Sequence, residues 1–129
     1  EVHILTTGRG ISQVETRLKG DGGGLAQVCR ELGRADQPPR LIVEPILGAD
    51  GQVLDDIRGE ADNNRLGDAT VRLIGRLTER DDVRIHASMA GGRKTMSFFM
   101  GYVMSLFGRP QDELSHVLLH DERYEFCRV

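Results

Sequence analysis

The sequence predicts an α/β domain with an open, mostly parallel sheet and helices on both faces, and three observations predict it. Short β-branched runs alternate with helix-period stretches, the pattern of strands joined by right-handed helical crossovers. The length, 129 residues, suits one ordinary domain with one core. Paired glycines, Gly91 and Gly92, separate a strand pattern from an apolar helix pattern, at the kind of place where such sheets gather their ligands.

Val2-His3-Ile4-Leu5 reads as a strand that ends in Thr6-Thr7-Gly8. Residues 11–19 are weakly helical, glycines at 20 and 22–24 break the pattern, and a helix follows over 25–32, closed by Gly33. Residues 41–46 have the β-branched content of a second strand, and 48–51 read as a turn. Leu66, Ala69, Leu73 and Leu77 repeat at the helical period, which predicts a helix over 62–77 with Asp62 as its cap. A third strand is expected over 83–87, an apolar helix over 94–107, a fourth strand over 115–120 and an edge strand over 124–129.

Composition narrows the function classes. With 39% hydrophobic and 29% charged residues, the chain reads as water-soluble, and no apolar run approaches the ~20 residues of a membrane span. No signal peptide opens it, and Cys29 and Cys127 lack a C-x-x-C partner, so a cytoplasmic home is expected. A net charge of −3 argues against coating duplex nucleic acid, so an anionic ligand must be gripped locally. His116 and His120 are four apart, too far along a strand for an easy chelate. No metal and no cofactor are expected.

Chemistry concentrates in Ser88-Met89-Ala90-Gly91-Gly92-Arg93-Lys94-Thr95. Glycines permit close backbone approach, and free N–H groups at a helix start favour an anion. Arg93 and Lys94 add charge, while Ser88 and Thr95 add hydroxyls. A plain turn with solvated cations explains the same residues, and spacing leaves both readings open. The spacing matches neither G-x-x-x-x-G-K-[ST] nor G-x-G-x-x-G. In the next helix, Ser97, Gly101 and Ser105 form a small-residue stripe, and Met96, Phe99, Met100, Val103 and Phe107 form an apolar face. That stripe fits either tight packing on the sheet or a two-fold interface. Asp55, Asp56 and Asp62 are read as caps and turn formers rather than metal ligands, and Arg109, Asp112 and His116 as a structural ion-pair region.

Together, the block from Ala87 to Met96 with Leu106-Phe107-Gly108-Arg109 and the block from Asp112 to Leu118 resemble a CRISPR-associated family carrying a CARF (CRISPR-associated Rossmann-fold) domain with an A-G-G-R-K-T signature. Leu54-Asp55-Asp56-Ile57-Arg58, Asp62-Asn63 and Ile4-Leu5-Thr6-Thr7-Gly8 are similar to its middle and front segments. The likeness spans nearly the whole chain, read as one CARF-like domain over 1–129.

The resemblance implies a Rossmann-like fold and a symmetric homodimer that binds cyclic oligoadenylate, with cyclic tetra-adenylate the expected ring, in type III CRISPR antiviral signalling. It implies ligand contacts from Thr6, Thr7, Ser88, Ala90, Gly91, Gly92, Arg93, Lys94 and Thr95. Should the ring be cleaved without metal, as in ring nucleases of the family, Lys94, Arg93 and Ser88 are the expected catalytic residues. A nucleotide-binding regulatory or protein-interaction module without catalysis is the alternative. The family's first strand, loop and helix have no counterpart before Val2, so the chain is expected to be a fragment or to receive that strand from elsewhere. No R-x-x-x-x-H motif is present, which places any ribonuclease effector outside these residues.

Overall fold

A computed structural model describes residues 1–118 of the chain. The edge strand expected over 124–129, together with His120 and Cys127, lies outside the described residues. Two compact units divide the chain, Glu1–Ala69 and Thr70–Val129, and each is described by itself.

In the first unit, β1 (Val2–Thr6) runs into α1 (Gly8–Gln13), a π-helical turn (Val14–Leu18) and α2 (Gly24–Glu31), and returns as β2 (Leu41–Pro45). β1 and β2 pair in parallel, with Val2 opposite Leu41 and Thr6 opposite Pro45, as a helical crossover requires. The helix expected over 11–19 starts earlier, directly after Thr7, whose carbonyl accepts the Ile11 N–H. Its last turn widens to π geometry, with the Lys19 N–H returning to the Val14 carbonyl at 3.1 Å. Gly33 closes the helical segment as expected, in the left-handed region at φ 67°. Beyond β2, Leu47 and Val53 form an isolated antiparallel bridge around a turn with Gly51 at φ 76°. Val14, Cys29, Ile46, Ile57 and Leu66 are buried in this unit.

α3 (Glu60–Thr78) is the longest helix, with Leu66 and Thr70 fully buried. It begins two residues before the expected start, so Asp62 is not its cap. Asp62 instead lies in the first turn and accepts the Arg58 N–H at 3.0 Å, a carboxylate reaching back over the helix start where the dipole favours it.

The second unit carries β3 (His86–Ser88), α4 (Lys94–Phe107) and β4 (Glu113–Ser115), with β3 and β4 parallel. Ile74, Ile85, Ala87, Val103 and Met104 form its core, with Leu77 and Met100 packed against it. The helix over 94–107 matches its expected bounds, whereas both strands are shorter than expected. Residues 83–85 lie outside β3, where side chains take over part of the pairing although the Ile85 carbonyl still accepts the Glu113 N–H at 2.8 Å. The Ile85 N–H donates to Asp112 at 2.8 Å, and the Val83 carbonyl accepts from Arg109 at 3.0 Å. The same anchor starts β4 at Glu113, two residues before the expected 115, and leaves His116 outside the strand.

Of the expected apolar face of α4, Val103 is buried and Met96, Phe99 and Met100 are half-buried, whereas Phe107 is exposed. Met104 is buried as well, and Phe98, Tyr102 and Leu106, outside that face, are exposed. Ser97 Oγ donates to the Met89 carbonyl at 2.8 Å, and a Cβ on Gly101 would stand 3.1 Å from Met89 Sδ. The upper part of the small-residue stripe therefore serves close packing within its own unit.

Among the described residues the strands form two parallel pairs, β1–β2 and β3–β4. This is a mixed α/β structure with parallel pairing, as the alternating pattern implies.

Candidate functional site

The Ser88–Thr95 connection follows from the sequence step by step. β3 ends at Ser88, whose Oγ accepts the Ala90 N–H at 3.2 Å and folds the chain outward. Gly91 and Gly92 then adopt φ 86° and 74° in succession, a conformation that L side chains strongly resist. A Cβ on Gly92 would also stand 2.8 Å from Met96 Sδ, a contact the flexible Met96 side chain can relieve, so the positive φ is what calls for glycine. Arg93 takes extended geometry as the N-cap of α4, and no side chain caps that helix. The Met96 and Ser97 amides fold back onto the Arg93 carbonyl, so the amides ahead of them open the helix.

Residues 90–95 are all exposed, as is Ser88. Electrostatically the turn is lopsided: Arg93 and Lys94 stand at the positive end of the α4 dipole, and its first turn has no acidic residue. A helix start of this kind can hold an anion through backbone amides, with two cations beside it.

The strands behind the turn carry a polar face that sequence reasoning missed. In the register, His86 is opposite Glu113 and Ser88 opposite Ser115, while Ala87 on the other face enters the core. His86 Nε2 lies 2.9 Å from Ser115 Oγ, and Arg84 pairs with Glu113. Period-two alternation marks His86 and Ser88 as sharing a face. Their pairing with Glu113 and Ser115 needs the register.

Below this face, Arg109 and Asp112 form the expected ion pair, and it does structural work. The Asp112 side chain is fully buried and accepts from the Arg109 guanidinium at 2.8 and 3.0 Å, and from the amides of Ile85 and Arg109. Arg109 also donates to the carbonyls of Thr78, Arg80 and Val83. The Arg109 hydrogen bond holds the Asp112 carboxyl well below the usual carboxylate range, against burial, and the two amides lower it further.

In the first unit, Thr6 ends β1 and Thr7 caps α1, with Thr7 only 5% exposed. The Thr6 side chain fills the space beside Gly10, where an added Cβ would fall on its Oγ1. Asp55 and Asp56 behave as the expected turn formers. Asp56 accepts the Ile57 N–H at 2.8 Å, and Arg9 and Arg58 pair with Asp55 at 3.3 and 3.2 Å. Among the described residues, no group of three or more His, Cys, Asp or Glu could hold a metal ion, and no helix is long and apolar enough to cross a membrane.

Parallel strand pairs with helical crossovers, and a double-glycine turn opening an uncapped, cation-bearing helix, define an α/β protein whose second unit gathers polar groups at the carboxyl end of its strands. The chain belongs to the CRISPR-associated protein NE0113 family (Cas_NE0113), which matches residues 1–128. No curated protein and no solved structure matches it.

Proposed function

We propose that this CRISPR-associated chain binds cyclic oligoadenylate, with cyclic tetra-adenylate the expected ring, through the turn from Ser88 to Thr95. The observation that carries the reading is the charge at the start of α4. Arg93 and Lys94 stand at the positive pole of a helix with no acidic residue in its first turn, an arrangement that favours a bound phosphate. Arg93 and Lys94 bind phosphate, the backbone of Ala90, Gly91 and Gly92 allows it close, and Ser88 and Thr95 contribute hydroxyls. Thr6, which ends β1, and Thr7, which caps α1, are further expected contacts. The reading treats 1–129 as one Rossmann-like CARF domain whose signal is passed to an effector elsewhere.

A symmetric homodimer completes this proposal, because a two-fold ring asks for matching sites. The exposed residues Phe98, Tyr102 and Leu106 of α4, at 65%, 56% and 59%, recur every four positions and form its contact stripe. The rings of Phe98 and Tyr102 already stack, with centroids 6.1 Å apart.

The ring is turned over slowly, without metal. The ligand's own 2′-oxygen attacks the adjacent phosphorus, the 5′-oxygen leaves and takes up a proton, and a 2′,3′-cyclic phosphate remains. Alignment and charge stabilisation suffice for this step, and Arg93, Lys94 and Ser88 supply them. Incubating the protein with labelled cyclic tetra-adenylate and cyclic hexa-adenylate, then separating products, tests the reading. Arg93→Ala with Lys94→Ala is expected to abolish binding, and Lys94→Ala to slow turnover by ~10²–10³. Turnover that stops on adding EDTA would overturn the mechanism, intact ligand would leave a sensor, and unchanged binding by the double variant would refute the site.

A further inference from the structure

β3 and β4 present a polar face bearing His86 and Ser88 from one strand and Glu113 and Ser115 from the other. Ser115 stands level with Ser88, the residue that begins the turn into Gly91 and Gly92. We propose that Ser115 is a further ligand-contacting residue, its hydroxyl donating a hydrogen bond to the bound anion, and that His86 is the positioning residue that sets this hydroxyl as a donor. The proposal rests on the reading of the Ser88–Thr95 turn as the anion site.

The chemistry follows from the 2.9 Å contact between His86 Nε2 and Ser115 Oγ. A hydroxyl has one proton and two acceptor sites, whereas a neutral imidazole nitrogen either donates or accepts. When Nε2 donates, the Ser115 proton is free for an anion. When Nε2 accepts, it consumes that proton and Ser115 offers only lone pairs. The first state presents a donor to the ligand and favours an anion.

Glu113 is opposite His86 in the register, and Arg84 pairs with Glu113. α4 packs on the other face, through Ala87, and its one charged residue is Lys94. Ser88 accepts the Ala90 N–H through its oxygen and keeps its own proton for the ligand. The Ser115 main chain joins the structure independently of its side chain, its carbonyl accepting the Met89 N–H at 2.8 Å, so the hydroxyl can be removed without touching the ladder.

Titrating cyclic tetra-adenylate into the purified protein and its variants tests the proposal. Ser115→Ala should lose about tenfold in affinity and Ser115→Thr should retain it. His86→Ala should weaken binding with its melting curve unchanged, and His86→Gln, whose amide can donate to the same hydroxyl, should restore it. Binding by the parent that depends on Arg93 and Lys94, yet is untouched by Ser115→Ala, overturns the proposal and leaves the site reading standing. A parent that does not bind overturns both.

Discussion

Asp112 shows how one side chain can stand in for a stretch of β-ladder. Its buried carboxylate accepts the amides of Ile85 and Arg109 and the Arg109 guanidinium, and so stands just ahead of the start of both β3 and β4. Because folding lowers its pKa, its stabilisation is complete above the ordinary carboxylate range, ~3.9 for Asp, and is lost as pH falls below that range. Acid titration of the folded protein followed by circular dichroism is expected to show a loss of stability in that window, and Asp112→Asn is expected to shrink it. Asp112→Ala leaves the Ile85 amide without its acceptor, at a cost of about 1–3 kcal/mol, measurable by urea denaturation. The Arg109–Asp112 pair was legible in the sequence as an ion pair at i, i+3. Its backbone partners at Thr78, Arg80, Val83 and Ile85 were not, because they lie 26 to 31 positions away.

At the scale of the element, α4 was the most readable part of the chain. Its start after two glycines and its end before Gly108 follow from local punctuation. The turn ahead of it is tightly specified. Gly92→Ala forces a side chain into positive φ, so it is expected to cost at least about 1 kcal/mol and to weaken cyclic tetra-adenylate binding, both checked on one preparation by thermal melting and titration. A variant as stable as the parent would show that the turn does not need its glycine. The buried face of α4 was largely legible: Met100 and Val103 pack toward Ile74 and Ile85 from the expected face, Met104 joins them, and Phe107 is exposed. The starts of β3 and β4 were misplaced by three and two residues, because a side-chain anchor, not β-propensity, sets them.

At the scale of the whole molecule, the exposed stripe on α4 bears on association. If Phe98, Tyr102 and Leu106 form the contact of a symmetric dimer, each substitution acts twice. Phe98→Glu with Tyr102→Glu is therefore expected to shift the protein to monomer in analytical ultracentrifugation while leaving its circular dichroism unchanged. Gly101→Leu is a poor probe of the same question, because it would crowd Met89 within its own unit. A parent that sediments as a monomer at all concentrations, with and without cyclic tetra-adenylate, would refute the dimer.

The sequence by itself determined the α/β class, the parallel sense of pairing, α4 and the glycine turn ahead of it, and its motif blocks pointed to a CRISPR-associated family. These properties rest on short-range signals: periodicity, glycine punctuation and a charged stretch read within a few residues. Only the tertiary structure decided that the described strands form two separate pairs, that Asp112 substitutes for the ladder at Ile85, and that His86 meets Ser115 across the β3–β4 register. Each of these joins residues more than twenty-five positions apart. Register is set by what packs and what anchors, and a pattern read along one strand carries no record of its partner.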